Sequence, residues 1–343
     1  MRTIEWDDSD SSIKMIDQTL LPAELKIIKC KNIAEVCEAI QNLRIRGAPA
    51  LGVCGAFGVA LSAHLSSAKT AEGMIKDMKA AGDAIKKTRP TAINLAWGVD
   101  RILNIAEEEG VDPKLIRNVA LEEAKEMADE DVEINKKIGK NGAKLLKDGD
   151  VVLTHCNAGK MACVDWGTAL GVIRSAVAEG KKIKVVACET RPLNQGSRIT
   201  AWELKQDKIQ VHVIADSAAG FLMSEGIINK VIVGADRITQ EFVYNKIGTY
   251  THSVLAKEHD IPFYVAAPVS TIDPNSWEEN VKIEERPEDE IRRIGKAKEL
   301  NVPLDVPILN PAFDKTPMEN VSAIITENGV YYPPILIEEI VID

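Results

Sequence analysis

The chain has 343 residues, of which 45% are hydrophobic and 27% charged, a composition typical of a globular protein with material for two hydrophobic cores. Its formal net charge is −10 and it has no basic stripe, so we predict that it binds neither nucleic acid nor an anionic membrane through bulk charge. No apolar run approaches the ~20 residues of a membrane span and the first residues contain no apolar secretory stretch, which predicts a cytoplasmic protein.

The first third of the chain is predicted to be helical after a short strand-like start. Apolar residues recur at helical spacing in most of it, and residues 48–65 are small and apolar throughout, as in a buried helix. Asp112 followed by Pro113 is a helix start signal, an N-cap with proline at the first helical position. The predicted helices cover residues 32–43, 48–65, 70–88, 95–109 and 113 towards 147, the last with a break near 139–142.

From Asp148 onwards, short β-branched runs alternate with helical stretches. This alternation predicts an α/β fold with a parallel sheet that is covered on both faces. Residues 273–304 are charged and irregular, which predicts a surface excursion. The predicted strands cover residues 151–154, 183–187, 209–215, 230–234, 262–267 and 322–326, and the predicted helices between them cover 167–179, 197–205, 218–225 and 246–259.

Polar or reactive side chains follow five successive predicted strands. Ligands of an open parallel sheet bind outside the carboxyl ends of its strands, so we predict an active site at this edge. A sugar phosphate is a plausible ligand, because small-residue loops and helix N-termini bind phosphate and Arg46 before the 48–65 helix could grip an oxyanion. The residues concerned are His155, Cys156 and Asn157, then Glu189, Thr190, Arg191, Asn194 and Gln195, then Asp216 and Ser217, then Asp236 and Arg237, and then Ser270 and Thr271.

Several of these residues are equally compatible with structural roles. Cys156 could be a small core residue, and Asp236 could cap a turn or pair with Arg237. His155 is either a base or a side chain that points into the sheet. The remaining structural alternatives are salt bridges for Arg46 and Arg191, and a helix N-cap and first turn for Asn245 and Lys246.

Neither the cysteines nor the glycine-rich strings indicate a metal or nucleotide site. The six cysteines form no C-x-x-C pair and have neighbours typical of core elements, so neither a zinc site nor a disulfide framework is expected. The sequence has no G-x-G-x-x-G and no G-x-x-x-x-G-K-[ST] string, so it gives no support to dinucleotide or P-loop binding.

The string R-I-R-G-A-P-A-L-G, which starts at Arg44, resembles the methylthioribose-1-phosphate isomerase family, and the resemblance extends along nearly the whole chain. Relatives in the wider superfamily include ribose-1,5-bisphosphate isomerases and regulatory subunits of the exchange factor for eukaryotic initiation factor two. The other matching strings include T-H-C-N-A-G at 154–159, E-T-R-P at 189–192, Q-G-S-R-I-T-A-W-E-L at 195–204, G-A-D-R-I at 234–238 and N-K-I-G-T-Y at 245–250.

This resemblance implies a mainly helical N-terminal domain over residues 1–127 and a Rossmann-like catalytic domain over 128–343. It further implies a homodimer without metal or organic cofactor that isomerises 5-methylthioribose 1-phosphate to 5-methylthioribulose 1-phosphate in methionine salvage. Cys156 and Asp236 match the catalytic pair of the family. The positions that match its substrate contacts are Arg46, Gly47, Ala48, Arg89, Gln195, Asn245 and Lys246.

Two departures from the family pattern leave the sugar's 5-substituent open. Residues 160–166 are less apolar than usual, and the stretch between Asp236 and Asn245 is about one residue short. Lys160 would suit a second anion, although a surface lysine is the simpler interpretation. The alternatives are therefore an isomerase of ribose 1,5-bisphosphate or 5-deoxyribose 1-phosphate, or a non-catalytic initiation-factor-2B-like regulatory subunit.

Overall fold

A computed structural model describes residues 1–108, 111–276, 281–295 and 297–342. It confirms an α/β fold, with a layer of helices joined to a mostly parallel sheet. The helices are α1 (Ile33–Gln41), α2 (Ala48–Leu65), α3 (Ala71–Thr88), α4 (Ile93–Glu108), α5 (Pro113–Ala143), α6 (Ala169–Ala178), α7 (Ala201–Gln206), α8 (Ala219–Ser224), α9 (Thr249–Glu258), α10 (Asp289–Arg292) and α11 (Ile337–Ile342).

The strands form four sheets within the described part of the chain. They are β1 (Ile4–Asp7), β2 (Ser12–Ile16), β3 (Ile27–Cys30), β4 (Val151–Thr154), β5 (Lys184–Cys188), β6 (Gln210–Ile214), β7 (Lys230–Val233), β8 (Arg237–Ile238), β9 (Phe242–Lys246), β10 (Phe263–Ala266), β11 (Arg293–Ile294), β12 (Glu299–Leu300), β13 (Phe313–Pro317), β14 (Ala323–Ile325) and β15 (Val330–Tyr331).

Helix α2 is the centre of the first hydrophobic core. It packs against α3, α4 and α5, and every residue from Ala50 to Ala63 is buried. The expectation that no apolar run approaches a membrane span is wrong for this segment, because among the described residues α2 is the one helix long and apolar enough to cross a membrane by length and composition. Most of it nevertheless lies inside the structure. Its apolar composition is therefore accounted for by its place in the core.

The predicted N-terminal helices agree with α1 to α4 to within two residues at each described end, Glu109 lying outside the described residues. The predicted break near 139–142 is wrong, since α5 is continuous from Pro113 to Ala143. Gly139 and Gly142 are buried where α5 packs on α6, so these glycines serve close helix packing. The predicted domain boundary at 127/128 falls inside α5, and the division into two domains stays a prediction.

The main sheet has the strand order β15-β14-β10-β7-β4-β5-β6, and all its neighbours are parallel except β15 and β14. All six strands predicted for the second half are present, with every end within one residue of its predicted position. Alternate residues face two different cores: Val152 and Val185 lie in one, Leu153 and Val186 in the other. Burial of both faces explains why these strands are almost continuously apolar.

The prediction of a helix over 246–259 starts too early. Asn245 and Lys246 end β9, and α9 begins only at Thr249, after a left-handed Gly248. The interpretation of Asn245 and Lys246 as the N-cap and first turn of this helix is therefore wrong. Strand β9 pairs with β13, which lies far along the chain, so no local pattern indicates it.

Asp131 on α5 is a buried carboxyl group that holds the loop after β4. Its Oδ2 accepts a hydrogen bond from the Val164 amide at 2.6 Å, and the residue is 8% exposed. Burial raises the pKa of Asp131 to about 7, against the Val164 and Asn135 hydrogen bonds, which lower it. Because the folded state binds this proton more tightly than the unfolded state, the stability it contributes is present at low pH and is lost as pH rises from about 4 to about 7.

We therefore expect Asp131→Asn to stabilise the protein above pH 7, where the native carboxylate is charged and buried. The gain in the free energy of unfolding should be about 1–3 kcal/mol at pH 8 and should vanish near pH 4. Thermal and urea unfolding across this pH range measure it. Asp129→Asn is the control, because Asp129 is 66% exposed in its ion pair with Arg2 and should change little at any pH. A less stable Asp131→Asn protein at pH 8 would contradict the prediction.

Candidate active site

A single cavity brings together the nine residues that match the catalytic pair and substrate contacts of the family, and His155 and Asn157 line it too. The other residues of the strand-end pattern are not among those that line it: Glu189, Thr190, Arg191, Asn194, Asp216, Ser217, Arg237, Ser270 and Thr271. It lies between the N-terminus of α2 and the carboxyl ends of β4 and β7, where the edge of the sheet was predicted to bind a ligand. Those nine lining residues are Cys156, Asp236, Arg46, Gly47, Ala48, Arg89, Gln195, Asn245 and Lys246.

Cys156 is held in an unusual backbone conformation two residues after the end of β4. Its φ is 61°, in the left-handed region that non-glycine residues rarely adopt. Its amide donates to Thr190 Oγ1 at 2.8 Å, and its carbonyl accepts from Thr200 Oγ1 at 2.6 Å. The side chain is half-buried and lines the cavity, which does not fit the alternative of a small core residue. Non-glycine residues at positive φ concentrate at functional sites, and Cys156 is one of them.

Thr190, which binds the Cys156 amide, is itself constrained. It is a β-branched residue at φ 68°, and its hydroxyl also donates to the Cys188 carbonyl at 3.0 Å. The amides of Thr190 and Arg191 donate to the two carboxylate oxygens of Asp216, each at 2.7 Å. Thr190 after β5 and Asp216 after β6 thus hold the backbone of Cys156 after β4. The order of polar residues along the sequence did not indicate this supporting role.

Asp236 follows β7 and faces the same cavity. Burial raises the pKa of the Asp236 carboxyl, while the nearby charges of Lys246, Arg89 and Arg46 act in the opposite direction. Arg237 forms an ion pair with Asp273 at 3.6 Å, so the suggested pairing of Asp236 with Arg237 is wrong. A carboxyl group with a raised pKa is suited to donate a proton.

The four cations at the cavity come from four separate parts of the chain: Arg46 precedes α2, Arg89 follows α3, Lys246 ends β9, and Arg286 lies in the 273–304 segment. Burial lowers the pKa of Lys246, against the opposing effect of Cys156 and Asp236, and its Nζ lies 4.9 Å from the centroid of the Phe313 ring. Arg46 donates from Nη1 to Asn157 Oδ1 at 2.7 Å and from Nη2 to the Asn157 carbonyl at 2.6 Å. Among the described residues its partner is therefore Asn157 and no carboxylate, unlike the suggested salt bridge. These side chains make the cavity suitable for an anion.

Gly47 allows α2 to begin at the cavity. Its φ is 95°, and a Cβ atom there would lie 2.4 Å from the Cα of Ala162. The 18-residue helix that follows begins at Ala48, and Gly47, Ala48 and Pro49 line the cavity, so the N-terminal end of the helix adjoins it. The first amides of a helix have no partner within the helix itself. The backbone around Gly47 and Ala48 is therefore a site that favours phosphate.

Two polar atoms at the cavity are buried without a hydrogen-bond partner in the described structure, Gln195 Oε1 and Arg89 Nε. Buried polar groups are normally paired, so these two indicate a polar ligand. Gln195 precedes a π-helical turn at Gly196–Thr200, a distortion common at functional sites. Asn245 Nδ2 donates to Thr249 Oγ1 at 3.0 Å.

Glu284 and Arg286 are site residues that the sequence analysis missed. Arg286 lines the cavity, and Glu284 accepts from Arg89 at 2.7 Å and from Arg286 at 3.0 Å. Burial acts to raise the pKa of Glu284, but the two arginines more than offset it and leave that pKa below its ordinary value. The 273–304 segment, of which 277–280 and 296 lie outside the described residues, is thus more than the predicted surface excursion.

Both ring nitrogens of His155 lie against protein partners, which favours the alternative of a structural side chain, although His155 is also among the residues that line the cavity. Its Nε2 is 2.8 Å from the Ile247 carbonyl, and its Nδ1 is 3.1 Å from Nε2 of His252. Burial lowers the pKa of His155 to about 4, so the ring is neutral at pH 7. Together with Cys188, whose Sγ lies 3.5 Å from Nε2 of His252, the two histidines have ligand atoms within 4.8 Å of one another.

Lys160, which suited a second anion in the sequence, is directed elsewhere. Its Nζ lies 3.8 Å from Asp207 Oδ1, and it is not among the residues that line the cavity.

Comparisons with known proteins agree along the whole chain. The model of the "Initiation factor 2 subunit family" matches residues 44–333. A Methanosarcina acetivorans protein named putative methylthioribose-1-phosphate isomerase is 62% identical over 342 residues, which cover 100% of this chain and 97% of the relative. The crystal structure of 5-methylthioribose 1-phosphate isomerase from Pyrococcus horikoshii has a TM-score of 0.89 at 44% identity, with 97% of this chain and 93% of that chain covered.

A further solved structure carries the other name used in this family. It is described as the translation initiation factor eIF-2B, subunit delta, from Archaeoglobus fulgidus, and it has a TM-score of 0.87 at 54% identity. The match covers 97% of this chain and 96% of that one. On the family model and the full-length identity, the chain belongs to the methylthioribose-1-phosphate isomerase family, within the initiation factor 2 subunit family.

Proposed function

We propose that this chain is an aldose–ketose isomerase that converts 5-methylthioribose 1-phosphate to 5-methylthioribulose 1-phosphate, a step of methionine salvage. The observation that carries the proposal is one cavity in which Cys156 and Asp236 lie among the cations Arg46, Arg89 and Lys246. A binding subunit needs no such pair of reactive groups. The names of the full-length relatives support the same substrate.

In this proposal the 1-phosphate binds at the N-terminus of α2. The amides of Gly47 and Ala48 contact its oxygens, and Arg46, Arg89 and Lys246 neutralise its charge. Gln195 and Asn245 contact the sugar hydroxyls, and Gln195 brings an acceptor oxygen that has no other partner in the described structure.

Asp236 opens the ring. The anomeric oxygen is esterified, so the bond between C1 and the ring oxygen must break while the phosphate stays attached. Asp236 donates its proton to the ring oxygen, which leaves as a hydroxyl group. The raised pKa of its carboxyl keeps that proton available at a pH where free aspartate has lost it.

Cys156 then transfers hydrogen between the two carbons. It takes the proton from C2, which gives an enol phosphate, and returns a proton to C1. The C2 hydroxyl gives its proton to the Asp236 carboxylate and becomes the ketone, so both groups end as they began. In the rival mechanism hydride moves directly from C2 to C1 and Cys156 only stabilises the cation.

The test is turnover of purified protein with three substrates in parallel, followed by NMR: the 1-phosphates of 5-methylthioribose and 5-deoxyribose, and ribose 1,5-bisphosphate. We expect the methylthio sugar to give the highest kcat/KM, in keeping with Lys160 being paired with Asp207. A higher kcat/KM with the bisphosphate would support the reaction class and overturn the assignment of the methylthio sugar as substrate. If no sugar is turned over, the assignment as an enzyme is overturned and the alternative of a regulatory subunit is favoured.

We further propose that the protein is a cytoplasmic homodimer. Helices α8 and α9 pack together and expose Phe221, Tyr250 and Val254, each more than 40% accessible, and exposed apolar clusters of this kind often bind a partner. All six cysteines are free thiols, which suits a reducing compartment. Light scattering should give twice the 37.5 kDa of one chain, and cell fractionation should place the protein in the cytosol.

A further inference from the structure

Glu203 on α7 is a fully buried carboxylate that contacts the loop carrying Cys156. Its Oε1 accepts from Asn157 Nδ2 and from the Met161 amide, each at 3.0 Å. Its Oε2 accepts from the Lys160 amide at 2.9 Å and from Arg174 Nη2 at 2.8 Å. Burial of a carboxylate is unfavourable unless it is paired and fully hydrogen-bonded, and all four partners here are donors.

The same hydrogen-bond network extends from Glu203 to Arg46, one of the cations that we propose bind the phosphate. Asn157 receives two hydrogen bonds from Arg46 and gives its Nδ2 protons to Glu203 and to Thr200 Oγ1. Thr200, one helical turn before Glu203, also binds the Cys156 carbonyl. Arg46 and Cys156 come from distant parts of the chain. Asn157 links them, because it binds Arg46 directly and is the chain neighbour of Cys156.

The loop fits closely against this carboxylate. A Cβ atom on Gly159 would lie 2.3 Å from Glu203 Oε2, so a side chain there would displace the loop or the carboxylate. Arg174 supplies the balancing charge and also binds Asp207 at 2.6 Å. Neither Glu203 nor Arg174 is among the residues that line the cavity, so neither is placed to contact the substrate itself.

We propose that Glu203 is a positioning residue that sets the locations of Cys156 and Arg46 relative to each other through Asn157 and the amides of residues 160 and 161. The proposal rests on the proposed function, since it takes Cys156 and Arg46 to act on the substrate. Small displacements of reacting groups are sufficient to slow an enzyme greatly.

Glu203→Gln tests it, because glutamine keeps the shape but has one acceptor oxygen and turns an amide towards donors. We expect kcat/KM to fall about 10²-fold, mostly in kcat. Asp17→Asn is the matched control: Asp17 is 2% exposed, binds Arg44 and the Thr19 amide, and is not among the residues that line the cavity. It should stay within about threefold of wild type. Both variants are assayed well below their melting temperatures.

A double-mutant cycle with Arg46→Ala separates positioning from general destabilisation. If Glu203 acts through Arg46, the combined variant loses much less than the product of the two single losses. If Glu203→Gln fails to fold, Asn157→Ala replaces it in the cycle, because it cuts the link to Arg46 and keeps the amide bonds of residues 160 and 161. Fully multiplicative losses, or a Glu203→Gln enzyme as active as the Asp17→Asn control, would overturn the proposal.

Alkylation of Cys156 by iodoacetamide gives a readout that does not need the proposed substrate. Mass spectrometry follows Cys156 against Cys37, the other half-buried thiol and therefore the internal reference. We expect Glu203→Gln to change the Cys156 rate at least about threefold and Asp17→Asn to leave it unchanged. If wild-type protein turns over no sugar, the proposed function fails while this ratio still decides whether Glu203 positions the loop. An unchanged ratio in Glu203→Gln overturns the positioning.

Discussion

Replacement of Cys156 by alanine is expected to lower kcat/KM for the methylthio sugar by about 10²–10⁴-fold, because the variant lacks the group that moves the C2 proton in the proposed mechanism. The structure places the thiol in the cavity, half-buried, on a residue whose amide and carbonyl are both hydrogen-bonded to threonines. Binding should change little, since the cations that hold the phosphate are untouched. The loss should therefore fall on kcat, and steady-state kinetics with both parameters measure it.

Cys163 provides the control for this variant. It lines the same cavity, but it is fully buried and its Sγ lies 3.5 Å from Asn135 Oδ1. Burial raises the pKa of the Cys163 thiol well above its ordinary value. A serine at this position can make the same hydrogen bond, so Cys163→Ser should stay within about tenfold of wild type. Equal losses in the two variants, or an active Cys156→Ala enzyme, would contradict the role assigned to Cys156.

Isotope transfer shows which mechanism Cys156 serves. With substrate deuterated at C2, proton transfer through Cys156 exchanges deuterium with solvent and gives product that carries solvent hydrogen at C1. A hydride shift keeps all of the deuterium at C1. We expect exchange, and complete retention would leave Cys156 only as a group that stabilises the cation.

Local pattern was sufficient for the parts of the fold that rest on local chemistry. The strands of the main sheet are short β-branched runs that are buried on both faces. A strand of that kind can be recognised from its own few residues, without knowledge of its partners. The edge of a parallel sheet then follows from topology, which is why Cys156 and Asp236 could be assigned to one site before any geometry was known.

What could not be predicted depends on distant partners. Strands β8 and β9 pair with each other and with β13, so the position of Lys246 depends on residues near 313. Arg286 lines the cavity and is joined to Arg89 by Glu284, which accepts hydrogen bonds from both. The segment that carries Arg286 is charged and irregular, a composition typical of surface loops. Glu203 lies in a matched string, but its role depends on Asn157 and Arg46 meeting in space.

Asp236→Asn is expected to lower kcat/KM by about 10²–10⁴-fold without loss of stability. Asparagine keeps the shape of the carboxyl group but cannot donate the proton that the ring oxygen needs. Because burial raises the pKa of Asp236 in the folded protein, the charged carboxylate opposes folding above that pKa, and asparagine removes this penalty. A melting temperature at pH 8 equal to or above that of wild type, together with the lost activity, would show that chemistry was removed and not the fold.

The pH dependence of kcat/KM tests whether Asp236 acts as the general acid. A general acid works only while protonated, so wild-type kcat/KM should fall as pH rises through the pKa of Asp236. That alkaline fall should be absent from the residual activity of Asp236→Asn. Asp273→Asn is the matched control, because Asp273 is a neighbouring carboxylate that pairs with Arg237 outside the cavity, and its profile should follow wild type. If the fall in kcat/KM at high pH persists in Asp236→Asn, another group donates the proton. Lys246 would then be the next residue to replace, because it is partly buried and burial lowers its pKa.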